Sequence, residues 1–350
     1  MEDTLPAYVT LPQVTLPPHK VTTDAILDDI RTHHPDHPRL EVILRAIGNS
    51  GVKTRHFTRP LSSPTVNGAA GVLERTTAAF EDSLNMAETA ATNALTTAGL
   101  TPQDIDVIIT SHATGWAVPN LDVRLIDRLG LRPTVRRIPM TTLACAGGVQ
   151  SLIRAADQVT ARPADRALVV VTETLSTSYN HADESVPSMI YKALFADSAA
   201  ATVVTAEPLQ PGLRIDDSLE YWLPESLDRY KGRLDDTGMH FDSDRRAPAA
   251  ASHAMPAVLQ WLGDRILDWV AIHPGGPSII HGVAGAVGLD DLDAHHSYAS
   301  LAENGNLGGA SILDVLARTH TTPPADGAEG LLIAFGPGFT TAAIRGTWHA

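Results

Sequence analysis

Three side chains in this sequence could together carry out acyl transfer: the thiol of Cys145, the imidazole of His273 and the carboxamide of Asn306. Cys145 is the only cysteine, and it stands between a stretch typical of a strand and a stretch typical of a helix. At a helix N-terminus, unpaired N–H groups and the helix dipole favour a thiolate. A neighbouring imidazole favours the thiolate further by forming a thiolate–imidazolium pair. We therefore expect Cys145 to be an ionised nucleophile.

His273 and Asn306 would serve a second step, the formation of a carbon–carbon bond. Loss of CO2 from a malonyl thioester leaves an enolate, whose oxygen needs fixed hydrogen-bond donors. Both side chains can donate, and losing one such donor typically costs about 100- to 1000-fold in rate. No carboxylate base is required, because decarboxylation itself generates the carbanion. Taken singly, His273 could equally be a buried structural histidine, and Asn306 a turn residue.

The elements that must position these side chains occur twice. The apolar strand at 106–110 resembles the one at 268–272, and the strand at 167–171 resembles the one at 330–334. Between them, the glycine-rich turn and helix that begin at Cys145 resemble those that begin at Gly308, all at an offset of 162 or 163 residues. This order predicts an internally duplicated α/β fold. Because ligands of α/β sheets bind beyond the carboxyl ends of strands, we expect the three side chains to converge there.

The duplication predicts two halves, residues 1–206 with the nucleophilic cysteine and residues 207–350 with the histidine and asparagine. A proline-rich joint at 207–212 separates them. The stretch up to about Pro60 is expected to be an added cover of the first half, with a helix around 23–32.

Composition narrows the class of protein. A hydrophobic fraction of 43% in 350 residues is ample for a large core, and the absence of an apolar run of membrane-spanning length favours a soluble, cytoplasmic protein. A net charge of −14 argues against nucleic-acid and anionic-membrane partners. The single cysteine excludes an internal disulfide framework and a cysteine-based zinc cage. In the histidine-rich run at 33–37, Pro35 prevents His33 and His37 from sharing one regular helix face, so we expect no metal site.

Five segments, in their order along the chain, resemble the signatures of type III polyketide synthases, the chalcone-synthase-like enzymes. The segments are TLACAGG at 142–148, ALFADSAA at 193–200, IHPGGP at 272–277, GN at 305–306 and FGPGFT at 335–340.

The resemblance implies a thiolase fold with duplicated αβαβα layers, a homodimer, and CoA thioesters as substrates with no further cofactor. Cys145 then resembles the residue that accepts an acyl-CoA starter, and His273 and Asn306 resemble the pair that decarboxylates malonyl-CoA. The product would be a triketide or tetraketide cyclised to a pyrone or a phenolic compound.

The resemblance also implies roles for residues around the reacting groups. Phe195 matches a gate between the CoA tunnel and the cavity, and Phe241 looks like its partner, although Phe241 could equally be plain core. Further positions that match the substrate cavity and its cyclisation pocket are Thr114, Thr177, Gly308, Gly336, Pro337 and Gly338. Positions that match basic residues for the CoA phosphates are Lys53, Arg55 and Arg59.

Three alternatives stay open. Family members that start from malonyl-CoA and make tetrahydroxynaphthalene often carry a second cysteine where this chain has Ala113, so we favour a separate acyl starter over a malonyl-primed tetrahydroxynaphthalene- or phloroglucinol-type synthase. A ketoacyl synthase III-like enzyme that condenses once shares the three reacting groups, but the segment after His273 favours the polyketide family. A non-catalytic partner subunit with this fold is disfavoured by the intact Cys145, His273 and Asn306.

Overall fold

A mixed sheet of ten strands runs through the molecule; the structure is a computed structural model that describes residues 6–350. The strands are β1 (Ala7–Val9), β2 (Gln13–Thr15), β3 (His19–Thr22), β4 (Thr54–Phe57), β5 (Val107–His112), β6 (Arg136–Thr141), β7 (Ala167–Thr174), β8 (Asp197–Thr205), β9 (Gly212–Trp222), β10 (Tyr230–Asp235), β11 (Gly238–Ser243), β12 (Trp269–Ile272), β13 (Glu329–Gly336) and β14 (Thr340–His349). The helices are α1 (Thr23–His33), α2 (Leu40–Gly48), α3 (Pro64–Asn67), α4 (Val72–Thr97), α5 (Leu121–Leu129), α6 (Gly147–Ala161), α7 (Val186–Leu194), α8 (Ala250–Leu262), α9 (Pro277–Ala286), α10 (His295–Asn304) and α11 (Ser311–Thr319).

The duplicated strands predicted from the sequence form equivalent parallel pairs. The order in the sheet is β12-β13-β14-β9-β1-β8-β7-β5-β6, with β2 also paired to β8. In the first half β5 runs parallel to β7, and in the second β12 runs parallel to β13. These four strands are almost wholly buried, as expected for parallel strands covered on both faces. The predicted α/β duplication is therefore confirmed at the level of strand pairing.

Helices α6 and α11, which begin at the two glycine-rich turns, lie between the halves of the sheet. Helix α6 contacts β5 and β7 of the first half and also β13 and β14 of the second, and it packs against α11. Helices α4 and α5 cover the outer side of the first half, while α8 and α9 cover the second. A side chain at Gly148 would collide with the backbone carbonyl of Gly309, so the two turns approach each other this closely only with glycine there. The result is the five-layered αβαβα arrangement expected of a thiolase fold.

The N-terminal segment is only in part the added cover that the sequence suggests. Strands β1 and β2 pair antiparallel with β8, so the stretch at 7–15 contributes to the central sheet. Helices α1 and α2 form the cover itself: Ile26 and Ile30 on one and Ile43 and Ile47 on the other are fully buried against Phe57. Their spacing of four residues places each pair on one helix face. The expected helix around 23–32 is observed as α1.

Within residues 6–350, no helix combines the length and the apolar character that are needed to span a membrane.

Candidate active site

The three side chains singled out in the sequence line one cavity between the two halves of the sheet. Cys145, His273 and Asn306 all contribute to its wall. The Sγ atom of Cys145 lies 3.9 Å from both the Oδ1 and the Nδ2 atoms of Asn306. The convergence predicted from the duplicated strand ends is thus observed, although Cys145 is separated from each of the other two residues by more than a hundred positions in the chain.

Cys145 is held in a strained turn at the start of α6. It lies in a 3₁₀ turn over Ala144–Ala146 that leads directly into the helix, so the expected position at a helix N-terminus is confirmed. The two preceding non-glycine residues Thr142 and Ala144 have φ angles of 63° and 46°, in the left-handed region that costs of order 1–3 kcal/mol for such residues. The surrounding packing maintains this conformation and thereby sets the direction of the half-buried thiol.

Asn306 is fixed through both its backbone and its side chain. Its N–H donates to the carbonyl of Leu194 over 2.8 Å, and its own carbonyl accepts from the N–H of Ala196 over 3.0 Å. Its side-chain oxygen accepts from the N–H of Gly308 over 2.9 Å. Because the oxygen has that partner, the orientation of the amide is set, and its NH2 group is the part available to a bound substrate.

His273 extends the parallel ladder by one residue beyond β12. Its N–H donates to the carbonyl of Ile333 over 2.8 Å, which anchors the backbone next to the edge of the sheet. Its side chain is buried, and its Nδ1 atom has no hydrogen-bond partner among residues 6–350. The ring is therefore positioned by packing and by its backbone rather than by a carboxylate.

The electrostatics of the cavity differ from the sequence prediction. Burial, together with the nearby Glu173, raises the pKa of Cys145 to about 12. Burial lowers the pKa of His273 to about 3. These two shifts oppose the expected preformed thiolate–imidazolium pair and favour the neutral thiol and the neutral imidazole. The proton must leave the thiol as the substrate arrives, because only then does new bonding compensate for the desolvated charge.

Glu173 is a cavity residue that the sequence analysis missed. It is buried at the end of β7 and lines the cavity beside Cys145. Its carboxyl oxygens accept from the N–H of Ala113 and from the hydroxyl of Thr114, each over 3.1 Å. Burial nevertheless raises its pKa to about 7. The sequence predicted a strand at 167–171, whereas β7 continues to Thr174. A prediction with this longer strand would have placed Glu173 at its carboxyl end, where cavity residues were expected.

The buried Glu173 is expected to make stability depend on pH. Its pKa rises from 4.5 to about 7 on folding, so the folded state holds this proton more tightly than the unfolded chain. Its favourable contribution is complete below about pH 4.5 and is lost as pH rises to about 7, an effect of roughly 3 kcal/mol. Glu173→Gln cannot ionise, so the free energy of unfolding of the variant, relative to wild type, should rise between pH 4.5 and pH 8.

Denaturant unfolding at several pH values between 4.5 and 8 measures this difference. Glu207→Gln, at an exposed position, is the matched control and should follow the wild-type curve. Parallel pH curves for Glu173→Gln and wild type would contradict the expected role of Glu173.

Aromatic side chains form one side of the cavity, as the resemblance implied for two of them. The rings of Phe195 and Phe241 meet edge to face with centroids 5.2 Å apart. Tyr191, not anticipated from the sequence, stacks on Phe195 at 4.8 Å with an interplanar angle of 3°. All three rings line the cavity that contains Cys145, so Phe241 is a wall residue there.

Three of the expected substrate-cavity positions lie elsewhere. Thr177 sits in the 3₁₀ turn after β7, where its carbonyl accepts from Arg75; Leu175 of the same turn faces the cavity instead. Thr114 is buried, its hydroxyl donates a hydrogen bond to Glu173, and it does not line the cavity. Gly338 lines a neighbouring surface pocket.

The remaining expected positions do line the cavity: Gly308, Gly336 and Pro337. Gly308 has a φ of 59°, and a Cβ atom there would lie 2.8 Å from the Cγ atom of Glu173. Glycine is thus required by conformation and by space, and the cavity wall stays open at this point.

Of the three cationic side chains expected to bind the CoA phosphates, two interact with other residues of the protein. Arg55 is fully buried and donates to the Thr23 hydroxyl over 2.7 Å, so it anchors α1 and cannot reach an external phosphate. Arg59 forms a two-point ion pair with Asp82, over 2.8 and 3.1 Å. Lys53 is exposed, and within residues 6–350 its ammonium forms no ion pair. The prediction for Arg55 is therefore wrong, because charge along the sequence does not reveal burial, whereas that for Arg59 stays a prediction weakened by its pairing with Asp82.

Family models match most of the chain in two consecutive parts. The N-terminal domain of chalcone and stilbene synthases matches residues 11–208. The C-terminal domain of chalcone and stilbene synthases matches residues 214–345.

Relatives and solved structures with this sequence pattern span nearly the whole chain. A 1,3,6,8-tetrahydroxynaphthalene synthase from Streptomyces coelicolor is 34% identical, and the alignment covers 97% of this chain and 91% of that protein. A phloroglucinol synthase from Pseudomonas fluorescens is 31% identical, and the alignment covers 97% of this chain and 99% of that protein. The solved structure of the S. coelicolor tetrahydroxynaphthalene synthase superposes with a TM-score of 0.94 at 34% identity, over 98% of this chain and 99% of that one. Germicidin synthase from the same organism, a type III polyketide synthase, gives 0.93 at 32% identity, over 98% and 100%.

Proposed function

This chain belongs to the chalcone and stilbene synthase family and is a type III polyketide synthase, and from that premise we propose the course of its reaction. An acyl-CoA starter is loaded on Cys145, extended with malonyl-CoA, and released as a triketide or tetraketide cyclised to a pyrone or a phenolic compound. The observation that carries the proposal is the presence of Cys145, His273 and Asn306 on the wall of one cavity.

The loading step uses the thiol and the imidazole as neutral partners. The sulfur attacks the starter thioester carbonyl while its proton passes to His273, and collapse of the adduct releases CoA, which takes up that proton. Because both groups are neutral beforehand, charge arises only once the substrate has displaced water.

The extension step uses His273 and Asn306 as donors. Malonyl-CoA loses CO2, and the electron pair of the broken bond forms an enolate whose oxygen accepts hydrogen bonds from the two side chains. The enolate carbon then attacks the thioester on Cys145, the new carbon–carbon bond forms, and the sulfur leaves. Phe195 and Phe241, which meet beside the cavity, would exclude water from the enolate.

A malonyl-primed synthase is the second candidate, and a specific observation favours it. The named relatives include a tetrahydroxynaphthalene synthase and a phloroglucinol synthase. Ala113 argues against this candidate, because it occupies the position at which malonyl-primed family members often carry a second cysteine. Ala113 instead donates its backbone N–H to Glu173. The family match supports a polyketide synthase over an enzyme of the ketoacyl synthase III type.

Mass spectrometry of products from a panel of acyl-CoA starters with malonyl-CoA tests the proposal. We expect cyclised products whose mass contains one starter and two or three malonyl-derived units. Products that form equally without any starter would establish the malonyl-primed alternative, and a single condensation with every starter would overturn polyketide formation.

Lys53 is proposed as the contact for the CoA phosphates. Its backbone N–H donates to the carbonyl of Ala302, and the neighbouring Gly51 packs against Pro277, the first residue of α9, so Lys53 lies near the side of the cavity that Gly275 and Ile279 line. An exposed ion pair contributes about 0.2–1 kcal/mol, so Lys53→Ala should raise the KM for malonyl-CoA up to about fivefold with little change in kcat.

Arg59→Ala is the matched control, since Arg59 is already paired with Asp82. Steady-state kinetics at low and high salt measure both variants, and salt should reduce the effect of Lys53→Ala. An unchanged KM for Lys53→Ala, or an equal rise for Arg59→Ala, would contradict the assignment.

The proposal includes a cytoplasmic homodimer without a bound cofactor. Trp116 and Val118 expose 72% and 78% of their surface, and with Leu227 and Leu234 they line the pocket beside the cavity. Exposed apolar patches of this kind mark association surfaces. The nucleophilic thiol must stay reduced, as it does in the cytoplasm. Sedimentation at micromolar concentration tests the dimer, and a monomer would count against it.

A further inference from the structure

Beyond the polyketide site, the end of helix α1 carries a second group of side chains with ligand chemistry. Asp29 and His33 are four residues apart and thus lie on one helix face. His181, from the loop that precedes α7, meets them there. The carboxylate and the two imidazoles offer ligand atoms that all lie within 4.8 Å of one another.

The distances within this group fit a bound ion in place of the present contacts. The Nε2 atom of His181 lies 2.9 Å from Oδ2 of Asp29, and Nδ1 of His33 lies 3.3 Å from Oδ1. Zinc bonds to nitrogen and oxygen of about 2.0–2.2 Å, arranged tetrahedrally, place ligand atoms about 3.4 Å apart. The imidazole rings of His33 and His181 are stacked at 3.8 Å. Small rotations of these side chains would therefore open a three-ligand site.

The surroundings hold the carboxylate and leave an entrance. The hydroxyl of Tyr179 donates to Oδ2 of Asp29 over 2.6 Å, the kind of second contact that orients a metal-binding carboxylate. His33 is 42% exposed at its side chain, while Asp29 is 14% exposed, so an ion and its water ligand can approach from the side of His33. The nearby buried Lys192 donates to the carbonyl of Asp183 over 3.0 Å and also interacts electrostatically with Asp29, so a bound cation would share this carboxylate with the ammonium group.

We propose that Asp29, His33 and His181 bind a divalent transition-metal ion such as Zn²⁺, with water completing the coordination. Two imidazoles and one carboxylate favour such ions over Mg²⁺ or Ca²⁺, which prefer oxygen ligands. The sequence prediction of no metal site considered only His33 and His37 within one run; the fold supplies His181 instead. A bound metal ion would connect α1 to the loop before α7. Tyr191, which lines the polyketide cavity, belongs to helix α7.

Calorimetric titration of chelator-treated, tag-free full-length protein with Zn²⁺ tests the proposal. The Cys145→Ala background removes the thiol as a competing ligand. We expect one saturable site per chain that excess Mg²⁺ does not compete for, and a rise in Tm on addition of Zn²⁺. Loss of a hydrogen-bond partner of a metal ligand already costs about 10- to 100-fold in metal affinity. Because His33→Ala and His181→Ala each remove a ligand itself, each should weaken binding by at least about 100-fold.

His295 and His296 provide the matched control. Their rings lie 3.9 Å apart at the start of α10 without a shared carboxylate, so His295→Ala/His296→Ala should bind Zn²⁺ as the parent does. Because His33 is largely exposed, His33→Ala should fold normally, which circular dichroism verifies. Absence of saturable binding, or unchanged binding in both His33→Ala and His181→Ala, would overturn the proposal, whatever the polyketide activity of these proteins.

Discussion

Replacing Cys145 by alanine is expected to abolish polyketide formation and to leave decarboxylation of malonyl-CoA measurable. The thiol is the only group in the cavity that can carry an acyl chain as a thioester, and loss of a nucleophile costs at least about 10³-fold. Decarboxylation needs only the donors His273 and Asn306, which the substitution leaves in place. Product analysis and release of CO2 from labelled malonyl-CoA measure the two steps separately.

The fold should tolerate this change, because the residues on either side of Cys145 are alanines in the same turn. Circular dichroism and the unfolding midpoint check that it does. Polyketide yield close to wild type in Cys145→Ala would remove the cysteine from the mechanism.

Replacing Asn306 by aspartate is expected to stop both steps. Aspartate keeps an oxygen that can accept from the N–H of Gly308, so the backbone around position 306 has no reason to move. It removes the NH2 donor and puts an acceptor next to the enolate oxygen. Loss of one such donor costs about 100- to 1000-fold, and the rate of CO2 release should fall by at least that factor.

Asn93→Asp on the exposed face of α4 makes the same chemical change outside the cavity and should leave both rates unaltered. Together, Cys145→Ala and Asn306→Asp separate the two roles: the first should lose only chain growth, the second should lose decarboxylation as well. If Asn306→Asp released CO2 at the wild-type rate, the amide would have no part in enolate stabilisation.

The sequence was sufficient to predict the convergence of Cys145, His273 and Asn306. The reason is physical: the duplicated strands are apolar, they and the glycine-rich turns between them recur at a constant offset, and carboxyl ends of parallel strands meet at one edge of a sheet. The motif around each residue also defines a turn, as the glycine at 148 illustrates by allowing α6 and α11 to touch.

The ionisation state of Cys145 could not be predicted in the same way. The helix N-terminus favours a thiolate, and that much is visible in the sequence. Burial and the carboxyl of Glu173 act in the opposite direction, and they raise the pKa to about 12. Both depend on tertiary packing, and Glu173 itself lies just beyond the end of the predicted strand.

The same limit explains the error at Arg55 and the unforeseen contact between two histidines. A run of cations reads as a surface patch, whereas Arg55 alternates inward on β4 and is fully buried. His33 meets His181 only because the loop before α7 folds back onto α1, a contact between positions 148 residues apart. No local pattern carries such information.

The central claim is that the sulfur of Cys145 holds the starter and the growing chain, and mass spectrometry of the intact protein tests it most directly. After brief incubation with an acyl-CoA alone, the mass should rise by one acyl group, and digestion should place that group on the peptide containing Cys145. Addition of malonyl-CoA should then discharge it as product. Products that form while this peptide stays unmodified, or an acyl group found on another residue, would contradict the account.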